Sequence, residues 1–170
     1  MALTTLMNER LAIGSGMPTG FEEIFAWCRE LTLSGAKVLD DRSVRARLAT
    51  WAARRNGLKY TAARAITALS RGATPGPENS IGKLVAGSTM QEIAEFALGL
   101  EGPLGVVSDP LHAVHSGRFQ AMLLRAPATR LEGGTDEILR NIIAERVLGL
   151  PPDIRVDKDI PFNRIPTRSA

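Results

Sequence analysis

The sequence predicts an all-α protein: an up-and-down bundle of four to five helices followed by an extended C-terminal tail. Three observations carry that expectation. Apolar residues recur at three- and four-residue spacing over long stretches, which gathers them on one side of a helix. No stretch shows the period-2 alternation of a half-buried strand. The connections between periodic stretches are short, and short connections join antiparallel neighbours.

The elements follow in order. Leu3, Leu6, Met7, Leu11 and Ile13 lie at near-helical spacing, with Glu9 and Arg10 between them. Gly14, Gly16 and Pro18 loosen or kink that helix, and a second piece from about Thr19 carries Phe21, Ile24, Phe25, Cys28 and Leu31. Ser34-Gly35 favours a break. Asp40 or Asp41 caps a long helix to about Arg71, in which Val44, Leu48, Trp51, Leu58, Ala62, Ala65 and Leu69 form a stripe close to a heptad. Gly57 costs that helix about 1 kcal/mol relative to alanine. The linker GATPGP leads to its antiparallel partner, about 78–100, whose Ile81, Leu84, Val85, Ile93, Ala94 and Ala97 supply the facing surface. Beyond Gly102-Pro103-Leu104-Gly105 and a loop with Pro110, a shorter helix is expected over about 116–124. Gly133, Gly134 and Thr135 then open a last helix running to about Leu148. Ile138, Ile142, Ile143 and Val147 are its expected buried side, and Gly149 and Pro151 its stop. The bundle occupies 1–152. The tail, 153–170, contains Pro161 and Pro166 and is expected to lie over a surface or another subunit.

Composition narrows the function classes. At 170 residues the chain suits one domain with a real core. Cys28 is the only cysteine, so an intrachain disulfide is excluded, and with two histidines it makes too small a set for a structural zinc site. The first residues lack a basic n-region, and no run reaches the ~18 apolar residues of a membrane span. A soluble, cytoplasmic protein is the expectation. Net charge is +3, yet the stretch from Arg42 to Arg71 holds eight basic residues and no acidic one. A solvated helix face explains such a run, as does attraction of phosphates or a partner surface. Nucleic acid is not expected, because stacking motifs and basic tails are missing. His112 and His115 stand in a proline-containing loop without an adjacent glutamate ligand and read as surface or interface histidines, so no metal is expected. Trp27 and Trp51 read as core anchors.

The turn at Gly133-Gly134-Thr135 is the chemically suggestive stretch. Thr135 caps the helix, and Asp136 and Glu137 in its first turn suit the macrodipole. Such a turn leaves N–H groups pointing outward, able to hold a carbonyl, a phosphate or a developing oxyanion. A loop that merely needs two glycines to enter a core helix has the same local chemistry.

The whole string GGTDEILRNIIAERVLGLP, together with Asn8-Glu9-Arg10-Leu11 near the start, closely resembles the C-terminal signature of the acyl-CoA dehydrogenases. These are flavoproteins that desaturate acyl-CoA thioesters. The resemblance covers the family's C-terminal helical domain and neither its amino-terminal helical domain nor its middle β domain. It implies an oxidoreductase that uses FAD to desaturate the α,β bond of an acyl-CoA. The implied partners are a second copy or another dehydrogenase chain carrying the missing domains, with an electron-transfer flavoprotein as candidate acceptor.

By the same resemblance, one carboxylate takes the α-proton while hydride leaves the β-carbon. The commonest form of the motif places a glutamate directly before Gly-Thr, where this chain has Gly133. Isovaleryl and long-chain relatives instead place the base on the first helix of the domain, before an arginine, as Glu9 precedes Arg10. Glu9 is therefore the implied base and Glu132, one residue off the common position, the runner-up. Arg10 would help hold the coenzyme A moiety, and Gly133 and Gly134 would line the thioester. Thr135, Asp136 and Glu137 would contact FAD. Two features depart from the family: an Arg-x-x-Phe-Gly motif is not found, and a later glycine-rich flavin contact survives only as LEGPLG, 100–105. A non-catalytic assembly subunit or remnant of the family is the alternative expectation.

Overall fold

The computed structural model describes residues 5–6, 8–10, 12, 19–74, 76–152 and 160–165. Residues 5–6, 8–10 and 12 are helical. Leu3, Met7, Leu11, Ile13 and the break at Gly14, Gly16 and Pro18 lie outside the described residues. The elements that follow are α1 (Phe21–Glu30), β1 (Thr32–Leu33), β2 (Ala36–Lys37), α2 (Arg42–Ser70), α3 (Asn79–Glu101), α4 (Arg118–Leu131) and α5 (Asp136–Ile142). A single π turn, Ile143–Val147, continues α5. Of the expected tail only 160–165 are described, with a 3-10 turn at Phe162–Arg164.

Asp41 caps α2 as its chemistry requires, its carboxylate accepting the Ser43 N–H at 2.7 Å. Helix direction follows from which residues meet. Arg47 lies over the Phe96 ring, Trp51 Nε1 donates to Glu92, and Ala65 lines a cleft with Ile81. Partner numbers rise along α2 as they fall along α3, so the two helices are antiparallel. The same holds for α3 and α4, where Gln120 meets Glu101 and Arg130 meets Gln91. Gly87 allows this second pair to come close: a Cβ there would stand 3.3 Å from Arg130 Cγ and 3.5 Å from Thr129 Cγ2. Helix α3 is thus the central element. The core joins Phe21, Ile24 and Cys28 of α1, Val38 of the 3-10 turn Val38–Asp40, Val44, Leu48 and Trp51 of α2, Ile93 and Ala97 of α3, and Phe119 of α4. Trp51 anchors it, and Trp27 packs against it half-buried.

Three expectations need correction. First, a hairpin exists. Thr32 pairs with Lys37 and Leu33 with Ala36, joined by Ser34 (φ 50°) and Gly35 (φ 83°). Two consecutive left-handed residues form the tight turn whose twist suits a hairpin, and two-residue strands are too short to show a period of 2. Since nothing crowds the Gly35 Cβ position, Gly35→Val isolates backbone strain; urea unfolding should show a loss of about 1–2 kcal/mol.

Second, α4 does not stop near Leu124 but runs through Pro127 to Leu131. Proline removes one helical hydrogen bond, and here burial of Ala126 and Thr129 against α3 offsets that loss. Third, the buried residue of α5 is Leu139, fully enclosed, whereas Ile138 and Val147 are exposed and Ile142 and Ile143 half-buried. The π turn rotates the register at Ile143, so an α-helical period does not carry through to Val147.

Candidate functional site

The Gly133–Gly134 turn sits where the opening helical stretch, α3, α4 and α5 converge. Glycine is required there: φ is +66° at Gly133 and +111° at Gly134, a conformation that side-chain-bearing residues rarely adopt. The Glu132 N–H closes the end of α4 on Ala128 O, and the Gly134 N–H reaches Leu131 O at 3.3 Å. Thr135 then caps α5, its Oγ1 accepting the Ile138 N–H at 3.4 Å.

Cations fix the turn's carbonyls from two sides. Arg10 Nε donates to Gly133 O at 2.8 Å, and Lys83 Nζ donates to Gly134 O at 2.6 Å and Arg130 O at 3.0 Å. Both side chains are buried, Arg10 at 6% and Lys83 at 1% exposure. Burial lowers the Lys83 ammonium below the ordinary amine range, Asp136 and Glu132 oppose that shift, and Arg10 and Arg130 add to it. Burial likewise lowers Arg10, with Arg146 acting in the same sense and Glu9 against. Gly134→Ala would force an unsuitable φ beside the Arg10 guanidinium, only 3.4 Å from the new Cβ. A loss of about 1–3 kcal/mol in chemical denaturation is the expected outcome.

The acids around the turn divide by partner. Asp136 is buried and receives Arg130 Nε and Nη2, each at 2.6 Å, while Arg130 Nη1 donates to Gln91 Oε1 at 2.8 Å. Glu132 accepts two bonds from Arg125 Nη2, at 2.8 and 2.6 Å. Glu137 is exposed, and its carboxyl lies below the ordinary range chiefly because its own N–H and the Thr135 hydroxyl donate to it. Glu9 is half-buried, one position before the arginine that reaches Gly133. The structure thus brings Arg10, Gly133 and Gly134 into direct contact, and anchors Glu132 to Arg125 of α4.

Lys83 is the site residue that the sequence reading missed. A signal was available, because Lys83 stands between Ser80 and Gly87 on the side of α3 that also carries the buried Ala86 and Met90. Among the described residues no group of three or more metal-ligating side chains forms a site. His112 pairs with Asp109 at 2.9 Å on the surface, and His115 packs edge-on against Trp27.

Beside the turn, Thr135, Asp136 and Glu137 line an open cleft of about 340 Å³ with Gln91, Pro127, Arg130 and Leu131. Its Asp136 Oδ1 is buried without a hydrogen-bond partner among the described residues. Its polar lining is the Thr135 hydroxyl, the Asp136 and Glu137 carboxylates and the Arg130 guanidinium that Asp136 and Gln91 hold.

The basic run of α2 is mostly internally paired. Arg45 donates to the carbonyls of Leu39 and Asp40, Arg54 pairs with Glu92, Arg55 with Glu22, and Arg47 and Lys59 lie over aromatic rings. Such pairing favours the intramolecular reading over an anion-binding surface. Among the described residues no helix is long and apolar enough to cross a membrane.

Residues 1–148 match the family model described as the acyl-CoA dehydrogenase C-terminal domain. The chain is similar to acyl-CoA dehydrogenase FadE34 of Mycobacterium tuberculosis, 31% identical over 154 residues, covering 89% of this chain and 19% of that protein. Acyl-CoA dehydrogenase IpdE1 of the same organism is 30% identical over 165 residues, 91% of this chain and 39% of its own length. The chain therefore spans between about a fifth and two-fifths of these relatives. Among solved structures, an acyl-CoA dehydrogenase from Geobacillus kaustophilus superposes with a TM-score of 0.70 at 21% identity, over 85% of this chain and 37% of that one. The ChsE4-ChsE5 complex from Mycobacterium tuberculosis gives 0.64 at 24%, over 79% and 34%. At such identities these two likenesses establish the fold.

Proposed function

This chain belongs to the acyl-CoA dehydrogenase family through its C-terminal domain, and from that membership we propose that it takes part in FAD-dependent α,β-desaturation of an acyl-CoA thioester. The observation that carries the reading is the Arg10 Nε to Gly133 O bond, which ties the helical stretch bearing Glu9 to the glycine turn. In this reading Glu9 removes the α-proton and the Gly133 N–H donates to the thioester carbonyl, polarising the C–H bond that breaks. Arg10 acts by holding the turn in place and by its charge toward the coenzyme A side. Thr135 and Glu137 border the flavin cleft, and Asp136 keeps that border rigid through Arg130. FAD, when bound, supplies the hydride acceptor. The remaining domains come from a longer product or a partner dehydrogenase chain, and an electron-transfer flavoprotein is the candidate electron acceptor.

The test reconstitutes the chain with those domains and follows the visible flavin absorbance after acyl-CoA is added. Bleaching that requires this chain supports the reading. Bleaching at the same rate without it overturns the reading.

A second reading, a non-catalytic assembly subunit, is favoured by the exposed apolar residues Val106, Leu111, Leu124 and Leu131. Purified chain that associates with a partner dehydrogenase but leaves its bleaching rate unchanged supports this reading.

A further inference from the structure

Glu101, the last residue of α3, and Gln120, in the first turn of α4, are 8% and 6% exposed. Gln120 Nε2 donates to Glu101 Oε2 at 2.8 Å and to Gly105 O at 3.3 Å. Both amide hydrogens are then used, and a flipped amide would turn its oxygen toward two acceptors. Glu101 Oε1 and Gln120 Oε1 remain, both buried and both without a partner among the described residues. Neither oxygen of an ionised carboxylate can donate, so an ionised Glu101 leaves both orphans unanswered.

We propose that Glu101 holds a proton on Oε1 and donates it to Gln120 Oε1, closing a two-bond carboxylic acid–amide ring that clasps the segment Gly102–Val106 to α4 and opens on ionisation. One proton satisfies both orphaned oxygens. The groups acting on the carboxyl are Gln120 from α4 and His115 from the turn before α4, while the Gly105 carbonyl of the 3-10 turn Gly102–Val106 takes the second amide hydrogen of Gln120. Arg118, two residues before Gln120, is engaged by Glu23 of α1. Burial raises the Glu101 carboxyl, outweighing the opposing effects of Gln120 and His115. His115 is itself held at φ 48°, followed by Ser116 at 54° and Gly117 at 73°. Its ring packs 4.7 Å from Trp27 and 5.5 Å from Phe119, so the turn that brings it toward Glu101 is fixed against the core.

The sign follows from linkage. A carboxyl raised on folding contributes stability that is fully present below the unfolded glutamate value, about 4.3, and is lost as pH rises through the higher folded value. Side-chain ¹³C NMR of the full chain, with Glu101 assigned by its loss in Glu101→Gln, tests the proton directly. A protonated-carboxyl signal persisting above the ordinary glutamate range supports the ring, and titration within or below that range overturns it. Urea unfolding from about pH 4 to about pH 8 gives a second readout, because the glutamine amide can donate without a proton. Wild type should lose stability relative to Glu101→Gln as pH rises. Parallel pH curves for the two proteins would refute the clasp.

Discussion

Glu9→Gln in the completed enzyme is expected to slow acyl-CoA-dependent flavin reduction by about 10²–10⁴-fold, the range over which a positioned general base acts. Glutamine keeps the shape and hydrogen-bonding capacity of glutamate but cannot accept the α-proton. Acyl-CoA affinity should therefore change little, because binding rests on groups that remain. Successive helical residues point about 100° apart, so a helix that sends Arg10 to Gly133 O directs Glu9 to the adjacent sector. Glu132→Gln is the control: both of its bonds go to Arg125, and its replacement should leave the rate within a few-fold. Rapid-mixing absorbance with the two variants decides the matter. A normal rate in Glu9→Gln with a dead Glu132→Gln reverses the assignment.

Lys83→Met is expected to destabilise the chain by about 3–5 kcal/mol, near the cost of removing one member of a buried charge cluster. Methionine fills most of the volume, so the loss isolates the ammonium. Without it, Gly134 O and Arg130 O lose a donor in a buried setting, and Asp136 and Glu132 lose a cation that they face. Against a typical domain stability of roughly 5–15 kcal/mol, that is a large share. Chemical denaturation measures it. Amide exchange should place the first opening at the 131–135 turn, whereas a loss under about 1 kcal/mol would mean that water takes over the ammonium's bonds.

Helix order and the family signature were legible because each rests on neighbours in the chain. Asp41 and Thr135 cap as their side chains dictate, and Val44, Leu48, Trp51 and Ala65 are buried as their spacing requires. The failures share a physical origin too. Pro127 remains helical because α3 covers Ala126 and Thr129, and a helix-breaking propensity of one residue is overridden by packing that lies about forty positions away in sequence. Lys83 is not legible locally because a lysine on an apolar side is ordinarily a mismatch, and the two carbonyls it donates to are brought to it only when the turn after α4 folds back on α3.

The sequence by itself determined that this protein is helical, where its long helices begin, and which glycine turn carries the family's signature, since capping, periodicity and turn chemistry act over a few residues. Only the tertiary structure decided which buried polar groups meet: Arg10 with the Gly133 carbonyl, Lys83 with the Gly134 carbonyl, and Glu101 with Gln120. Two of those contacts join residues 51 and 123 positions apart. No local rule reaches so far, because a buried ion or amide is stable only when distant backbone returns to satisfy it.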